Sequence, residues 1–536
     1  MNRVSRVRAL PFADGPVPEP IRDREILAAY AEDASGRPPG APAGRLRPAW
    51  EAEIAAFLRA TAGRGVRVLP QAARSSLTGG AIPQGEVVIS VERLTEGLAI
   101  GGGRARVAAG VRLRDLQAAL AERGAYFPPV PTYQEAMIGG AASTNAGGAA
   151  TFKYGTTRDW VRAVRVVLAN GAVVAVERGE AVARRGEAFE IEMPDGTVVR
   201  VPTPVHRLPD VRKLSAGYHA AEELDLVDLF VGSEGTLGVF TEITVDVIEL
   251  PAAVLAAIAF VGSERVAMAL AADLRTERGG RGVDVRAVEV VDGRSLDLVR
   301  AHGETARLKI GVPAAARAAV FVEAELPVAC TGEQALEALG RYLEGEAAER
   351  GGMLFALFER LQAHDALDDV LLAMPDDPAR REAFAELREA VPKRVNEILA
   401  GRRRDDPGIR KVGGDLIVPF ERLPEMWEVY EREFEARGLE FAIWGHLSDG
   451  NLHPNVLARS AAEVEAGEQA LLVFADLAIR LGGSPLSEHG VGRSVLKQEM
   501  LRRLVGEAGL EGMRAVKSAL DPEWRMAPGV LLGVKS

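Results

Sequence analysis

Short apolar runs separated by Gly-rich and polar stretches dominate the first half of the chain, and this pattern predicts strands joined by loops. The predicted strands are Val66–Pro70, Val87–Val91, Leu98–Ile100, Arg106–Ala108, Val161–Ala169, Val173–Val176 and Phe240–Ile248. Apolar residues with helical spacing predict helices at Asp23–Glu32, Ala49–Ala62 and Leu113–Arg123. The dipeptide Asn170-Gly171 predicts a hairpin, because both residues accept the positive φ of a tight turn.

The pattern changes at Pro251, after which predicted strands and helices alternate. The strands are Val254–Phe260, Val285–Val291, Ala319–Leu326, Asp415–Phe420 and Phe441–Val456. The helices are Glu264–Thr276, Glu333–Glu344, the charged stretch 353–404 and Glu463–Leu481. Alternation of this kind predicts an α+β or α/β layer.

Composition and charge narrow the class of protein. The chain has 536 residues, enough for two or three domains, and a formal charge of −11 that argues against a nucleic-acid surface. Its one cysteine, Cys330, excludes an internal disulfide and an iron–sulfur cluster held by several thiolates of this chain. Neither a secretory signal nor an apolar run of about 18 residues occurs. We expect a cytoplasmic protein, with peripheral docking on the inner face of the membrane left open.

Three loops rich in Gly, Ser and Thr lie between the predicted strands of the first half. They are Arg74–Gly80, Ile138–Gly148 and Gly232–Gly238. Small residues let backbone N–H groups approach a phosphate, and hydroxyl groups add donors. None of the loops follows the pattern of a Rossmann dinucleotide site or of a P-loop. The three together predict an extended, phosphorylated ligand.

The stretch Phe441–Val456 carries two histidines on either side of an Asp-Gly pair. If Asp449 and Gly450 form a type I′ turn, His446 faces His453, and directly opposed residues lie about 5 Å apart at Cβ. Two imidazoles at that distance can hold one ion. The alternative is a pair of cross-strand histidines hydrogen-bonded within a core.

The three loops resemble the FAD-binding domain of the vanillyl-alcohol oxidase superfamily. Gly445–His453 and Ser487–Gly492 resemble its D-lactate dehydrogenase, glycolate oxidase and D-2-hydroxy acid dehydrogenase branch, and the likeness covers roughly residues 25 to 536. It implies an α+β fold: an N-terminal arm over 1–40, a PCMH-type FAD-binding domain over 41–250 and an α+β cap domain over 251–536. The C-terminal segment, roughly the last 45 residues, would pack back on the FAD domain.

The resemblance also assigns residues to the cofactor. Its FAD contacts would come from Arg74, Ser75, Ser76, Leu77, Thr78, Gly79, Gly80, Ile138, Gly139, Gly140, Ser143, Thr144, Asn145, Gly148, Tyr154, Gly155, Glu234, Gly235, Gly238 and Val239. Some relatives tether FAD through a histidine in the first loop. That loop has none here, so we expect FAD to be bound noncovalently.

The same resemblance implies a metal and a base. His446, His453 and Glu488 are suitable ligands for Zn²⁺ or Mn²⁺, which would bind a 2-hydroxy acid and lower the pKa of its hydroxyl group. His489 is then the general base, since histidine titrates near neutral pH.

Arg388 would grip the substrate carboxylate, and Lys411 and Asn455 would reach the same site. Pro392 stands where some hydroxyglutarate-type relatives have a threonine, and Ala527-Pro528-Gly529 replaces the commoner Asn-Pro-Gly, so the identity of the hydroxy acid stays open. The chain has no nicotinamide motif. Electrons would therefore leave to oxygen or to a separate quinone, cytochrome or electron-transfer flavoprotein.

Other readings remain at this point. The chain could oxidise another alcohol, or exchange an acyl for an alkyl group without net redox change, as an ether-lipid synthase of the superfamily does. It could also be an inactive subunit, although it keeps all of His446, His453, Glu488 and His489. The sequence does not reveal the oligomeric state, a homodimer included.

Overall fold

A computed structural model describes residues 5–12, 15–129, 133–276, 283–327, 330–346 and 348–533. The chain forms two compact units. The first unit contains residues 1–148, 155–249 and 486–536, and the second contains residues 149–154 and 250–485. The segments of the two units therefore alternate along the chain: residues 149–154 and 250–485 of the second unit each lie between two segments of the first.

The strands of the described residues are, in chain order, β1 (Ser5–Arg8), β2 (Gly44–Leu46), β3 (Val68–Gln71), β4 (Val87–Ser90), β5 (Ala99–Gly101), β6 (Arg104–Ala108), β7 (Ala125–Tyr126), β8 (Val161–Val167), β9 (Val173–Glu177), β10 (Val182–Arg184), β11 (Ala188–Glu192), β12 (Val198–Pro202), β13 (Glu223–Asp225), β14 (Val239–Asp246), β15 (Ile248–Glu249), β16 (Ala253–Val261), β17 (Asp284–Asp292), β18 (Ala318–Leu326), β19 (Leu371–Ala373), β20 (Val412–Gly413), β21 (Leu416–Ile417), β22 (Phe441–His446) and β23 (Asn451–Val456). The helices are α1 (Arg24–Ala28), α2 (Glu51–Thr61), α3 (Leu113–Ala121), α4 (Ile138–Thr144), α5 (Thr151–Tyr154), α6 (Thr157–Trp160), α7 (Leu226–Phe230), α8 (Glu264–Thr276), α9 (Gly293–Ala301), α10 (Glu304–Arg307), α11 (Gly332–Leu343), α12 (Ala348–Ala363), α13 (Pro378–Arg402), α14 (Leu423–Ala436), α15 (Ala461–Arg480) and α16 (Val495–Leu520).

The first unit is built from small sheets. Its largest sheet is antiparallel in the order β5-β6-β14-β8-β9, and a parallel sheet has the order β2-β4-β3. Helix α2 places Ile54, Phe57 and Leu58 in the core against the buried strand residues Val68 and Ile89. Burial on both faces explains why the parallel strands read as continuous apolar runs in the sequence.

The second unit contains one antiparallel sheet in the order β19-β16-β18-β17-β22-β23-β20, with β21 also paired to β23. Helices α9 and α13 cover one face, where Leu296 and Leu387 join Ile258, Val291 and Phe321 of the strands in a buried core. Because the strands are antiparallel, the α+β alternative is confirmed and the α/β alternative is wrong.

Most predicted elements are present with ends shifted by a few residues, and Glu264–Thr276 has the predicted bounds. Three predictions are wrong. Within the stretch 353–404, predicted as helical, α12 ends at Ala363 and strand β19 (Leu371–Ala373) comes before α13. The loop Ile138–Gly148 begins with helix α4, which ends at Asn145 in the left-handed conformation with φ of 50°. The predicted strand Asp415–Phe420 keeps only Leu416–Ile417, because Pro419 has no N–H for a sheet ladder.

Among the described residues, no helix is both long and apolar enough to cross a bilayer.

Candidate functional site

Strands β22 and β23 form the predicted hairpin in a register that differs from the prediction. His446 pairs with Asn451, and Trp444 pairs with His453. The predicted pairing of His446 with His453 is therefore wrong. The cause is a longer connection than expected.

The turn of this hairpin runs from Leu447 to Gly450. Leu447–Asp449 is a 3-10 turn, and Gly450 follows in the left-handed region with φ of 79°, so the two-residue type I′ turn at Asp449-Gly450 is wrong. A Cβ on Gly450 would lie 2.1 Å from the carbonyl oxygen of Val418. Both the φ angle and the lack of space require glycine here.

The two histidines nevertheless lie on the same face of the sheet. The observed pairing differs from the predicted pairing by two residues, and side chains alternate between faces with a period of two. A shift of two residues therefore leaves every side chain on its predicted face. His446 and His453 become diagonal neighbours instead of directly opposed residues. The ring centres of His446 and His453 are 5.7 Å apart, and the rings are nearly perpendicular at 86°.

This spacing fits two ligands of one ion. A Zn–N bond of about 2.0–2.1 Å puts each ring centre about 3 Å from the metal, so two liganding rings lie about 5–6 Å apart. His446 and His453 are each 6% exposed. Two buried imidazoles on adjacent strands are a donor set that a borderline-soft divalent cation accepts.

A carboxylate missed by the sequence analysis lies beside the first histidine. Oε1 of Glu289, on β17, is 2.8 Å from Nδ1 of His446. Burial alone would raise the pKa of Glu289, but the positive charge of Arg388 and the hydrogen bonds from His446 and Arg388 outweigh it, and the pKa falls to about 2. A carboxylate at Nδ1 favours the tautomer that leaves Nε2 of His446 available to a metal.

One feature of the sequence could have indicated that Glu289 is a functional residue. It is a lone acidic residue in the middle of the apolar run Val285–Val291, and buried charges in such strands are rare unless paired. Its partner could not be read from the pattern, because strands β17 and β22 are far apart in the chain.

Arg388, on α13, contacts the other oxygen of Glu289 through a close ion pair. Its guanidinium group is also 3.8 Å from Glu389. Arg388, which was predicted to bind the substrate carboxylate, thus lies next to the histidine pair. Part of its guanidinium group already contacts the carboxylate of Glu289. A guanidinium group has five N–H donors, so it can hold Glu289 and a ligand together.

The other predicted residues of the second unit lie around the hairpin. Asn455 occupies the same face of β23 as His453, and its Nδ2 donates to the backbone oxygen of His453 at 2.9 Å. Lys411 is half-buried and precedes β20, the edge strand beside β23. Asp415, which the sequence analysis did not single out, is fully buried, and its Oδ1 lies 3.8 Å from Nδ1 of His453.

Tyr154 was predicted to line the cofactor. The structure assigns it to the second unit, where its hydroxyl group donates to Glu325 on β18. The neighbouring Lys153 forms ion pairs of 2.7 Å with both Asp284 and Glu325. These contacts give Tyr154 a structural partner that its position in the sequence did not indicate.

Glu488 and His489 belong to the first unit. Nζ of Lys213 is 3.1 Å from Oε2 of Glu488, and Nε2 of His489 is 3.5 Å from Oε1 of Glu488. The Lys213 side chain is completely buried. The sequence carried no signal for Lys213, which lies in a polar stretch without a motif.

The loop that carries Glu488 is also held by the half-buried carboxylate of Glu234. Glu234 accepts hydrogen bonds from the backbone N–H groups of Val491 at 2.9 Å and Gly492 at 2.7 Å. Burial raises the pKa of Glu234, and these two hydrogen bonds oppose the rise. The predicted cofactor residue Glu234 therefore orders the loop that follows Glu488 and His489.

The first glycine loop presents backbone donors. Ser76 Oγ accepts from the N–H groups of Thr78 and Gly80, each at 3.2 Å. Among the described residues, no acceptor lies against the N–H groups of Ser75 and Leu77, and both residues are exposed. N–H groups without an acceptor, in a loop of small residues, are suited to donate hydrogen bonds to the phosphates of a dinucleotide.

The second and third loops are joined to each other. Gly232 N–H donates to the carbonyl oxygen of Ala142 at 2.9 Å, and Glu234 N–H donates to that of Ser143 at 2.8 Å. A Cβ on Gly140 would lie 3.0 Å from Ala72, just before the first loop. The second and third loops thus meet within the first unit, and a side chain larger than hydrogen at position 140 would crowd the Cβ of Ala72, just before the first loop.

Two family profiles match the chain. The profile described as FAD linked oxidases, C-terminal domain, matches residues 250–531. The profile described as FAD binding domain matches residues 42–177. Together they span most of the two units.

Known proteins match along nearly the whole chain. The glycolate oxidase subunit GlcD of Bacillus subtilis is 27% identical over 512 residues, which is 93% of this chain and 91% of that protein. The D-2-hydroxyglutarate dehydrogenase of Xanthomonas citri is 29% identical, with 89% and 87% covered. The D-lactate dehydrogenase of Archaeoglobus fulgidus is 27% identical, with 90% of each covered.

One solved structure, of an alkyldihydroxyacetonephosphate synthase, superposes with a TM-score of 0.59 and covers 95% of this chain and 81% of that chain. Its sequence identity is 15%, so the likeness is one of fold alone.

Proposed function

Because the chain belongs to the family of FAD-linked oxidases, we propose that it is an FAD-dependent, metal-assisted enzyme that oxidises a D-2-hydroxy acid to the 2-oxo acid. The observation that carries this proposal is the pair His446 and His453, buried on one sheet face beside Glu289 and Arg388. Relatives named for glycolate, D-lactate and D-2-hydroxyglutarate support the substrate class.

The proposed ligands of the metal are His446, His453 and Glu488, with Zn²⁺ or Mn²⁺ as the ion. Such an ion, when bound, lowers the pKa of a substrate hydroxyl group, and FAD supplies the acceptor for the hydride from the substrate Cα. Glu289 supports this assignment, since its contact with Nδ1 of His446 leaves Nε2 as the nitrogen that could take the ion.

The protein's own groups bind the substrate and move its proton. Arg388, with Lys411 and Asn455, would hold the carboxylate and fix which face of the substrate is presented. His489 would accept the hydroxyl proton at its imidazole nitrogen. Glu488, 3.5 Å from the His489 ring, would stabilise the imidazolium that forms.

FAD would be held noncovalently, because the loop Arg74–Gly80 contains no histidine, cysteine or tyrosine for a tether. Its diphosphate would take the N–H groups of Ser75 and Leu77, with Arg74 adding a positive charge. We further propose a separate electron acceptor, since the chain has neither a nicotinamide motif nor the thiolates of an iron–sulfur cluster.

The reaction is tested by anaerobic bleaching of the flavin absorbance near about 450 nm. Protein with FAD bound is mixed with D- and L-isomers of 2-hydroxy acids of increasing length. The D-isomer of at least one acid should reduce the flavin faster than its mirror image. Loss of colour with none of the acids would refute the proposed reaction.

The metal is tested separately by its content. His446→Ala should lower the bound metal at least about tenfold and should leave FAD bound, because one of the proposed ligands is lost. His302→Ala is the matched control, since His302 is an exposed histidine of the same unit. Equal metal content in the two variants would contradict the ligand assignment.

A further inference from the structure

A cavity of about 290 Å³ opens in the second unit between the sheet and the first half of α13. Strands β16, β17 and β18 form its floor, and Phe321 and Phe384 contribute apolar surface. Glu289 and Arg388 also line it, so the cavity adjoins the histidine pair within the same unit. Its volume is at the small end for ligand pockets and suits a small molecule.

Three arginines line this cavity: Arg286, Arg381 and Arg388. Two of them have carboxylate partners of their own. Arg388 pairs with Glu289, and Nε of Arg286 is 2.9 Å from Glu323. The net charge of each of these pairs is close to zero. The positive charge of the third arginine, Arg381, is not balanced in this way.

Arg381 differs from the other two. Its one hydrogen bond to the described residues is a long one of 3.5 Å, from a terminal nitrogen to the carbonyl oxygen of Val254. Its Nε is buried and has no partner there, and no carboxylate of the described chain forms an ion pair with it. A partly buried guanidinium group without a counter-ion is costly unless a ligand supplies one.

The acidic residue next to it does not fill this role. Glu382 lines the same cavity but is exposed to solvent at its edge. Water and salt screen an exposed charge, so its effect on an anion inside the cavity is small. Among the described residues, Arg381 is therefore the arginine of this cavity that forms no ion pair with a carboxylate.

We propose that this cavity is a subsite for a second acidic group of the substrate, a carboxylate bound by Arg381. The proposal rests on the proposed function and narrows its substrate to a 2-hydroxy diacid. Arg381 and Arg388 are seven residues apart on α13, which is about 10 Å along the helix and places both on one side. Their long side chains can converge on the two ends of a four- or five-carbon diacid.

The test compares two acids of equal length and configuration, D-2-hydroxyglutarate and D-2-hydroxyvalerate, by anaerobic flavin reduction. The specificity ratio is kcat/KM for the diacid divided by kcat/KM for the monoacid. It should exceed about 10 in the natural protein and should fall about 10- to 100-fold in Arg381→Gln, since a charged hydrogen bond is lost. Arg380→Gln, an exposed arginine outside the cavity, should change the ratio less than twofold.

Three outcomes would overturn the subsite: an unchanged ratio in Arg381→Gln, an equal fall in Arg380→Gln, or a natural protein that does not prefer the diacid. In each of them the monoacid still reduces the flavin, so the proposed reaction stands. If neither acid reduces the flavin, the subsite fails, and the proposed reaction fails only if none of the other D-2-hydroxy acids bleaches the flavin.

A measurement on the natural protein keeps the proposal testable if Arg381→Gln does not fold. Glutarate and pentanoate have equal length and lack the hydroxyl group, so they bind without being oxidised. Glutarate should inhibit flavin reduction by the best substrate at a concentration about tenfold lower or less. Equal inhibition by the two acids would overturn the subsite.

Discussion

The two groups of proposed metal ligands are positioned by different means. His446 and His453 project from paired strands, and the backbone ladder between β22 and β23 determines where they lie. Glu488 lies in a loop, where the buried charge of Lys213 and the half-buried carboxylate of Glu234 hold it and the residues that follow. Position in the first case is set by main-chain hydrogen bonds, and in the second by a few ionic contacts.

This difference has a consequence for mutation. In the hairpin, a side chain next to a ligand can change while the ladder keeps its register, and only the turn can displace both histidines at once. In the loop, removal of one charged partner takes from the other a contact that offsets its loss of hydration. We therefore expect the loop to depend more strongly on single side chains than the strands do.

The largest effect is expected for Lys213→Met. The change removes the buried positive charge next to Glu488, whose side chain is 13% exposed, and loss of one member of a largely buried ion pair costs about 3–5 kcal/mol. Chemical unfolding of the chelator-treated protein should show a lower stability of this order. An unchanged unfolding midpoint would mean that the contact contributes little.

A double-mutant cycle with Glu488→Gln supplies the control. The second change removes the carboxylate charge that Lys213 faces, so the double variant should be less destabilised than the sum of the two single variants. Additive effects would show that the two side chains do not depend on each other.

A smaller effect is expected for Gly450→Ala in the hairpin turn. The residue has φ of 79°, and the added Cβ would meet the carbonyl oxygen of Val418 at 2.1 Å. The left-handed conformation costs about 1–2 kcal/mol for alanine, and the backbone shift adds to it, for about 3 kcal/mol in all. Metal content should fall together with stability, because the turn carries both histidines.

Gly438→Ala is matched to this change. Gly438 has φ of 64°, but nothing lies within 4 Å of its added Cβ. It should cost only about 1 kcal/mol and leave the metal content as it is. A loss of metal in Gly438→Ala equal to that in Gly450→Ala would point to a general destabilisation of the unit instead of the turn.

The smallest effect is expected for Glu289→Gln, which keeps the shape of the side chain but removes its charge. Partners behind a metal-bound histidine typically contribute 10- to 100-fold in affinity. Titration with Zn²⁺ should therefore show weaker binding of about this size while the ladder stays intact. Glu323→Gln, on the same sheet face but without contact to His446, should bind zinc as the natural protein does.

The hairpin shows how far the sequence could be interpreted. The two-residue period of strands correctly put both histidines on one face, and that result survived a wrong turn type. The turn failed because Asp-Gly suits more than one connection, and the close approach of Val418 to Gly450 cannot be seen in the local sequence. The loop Ile138–Gly148 failed for a related reason, since its small residues also allow a helix when neighbouring strands leave room for it.

The sequence by itself indicated the family and the residues that carry the proposed chemistry, because these depend on local motifs. Periodicity left the α+β and α/β classes open, and the antiparallel pairing of the strands decided between them. Only the tertiary structure decided the partners of these residues: Glu289 beside His446, Lys213 beside Glu488, and Arg381 without a carboxylate in its cavity. These contacts join residues far apart in the chain. Electrostatic pairing depends on distance in space, and no local pattern of residues contains that distance.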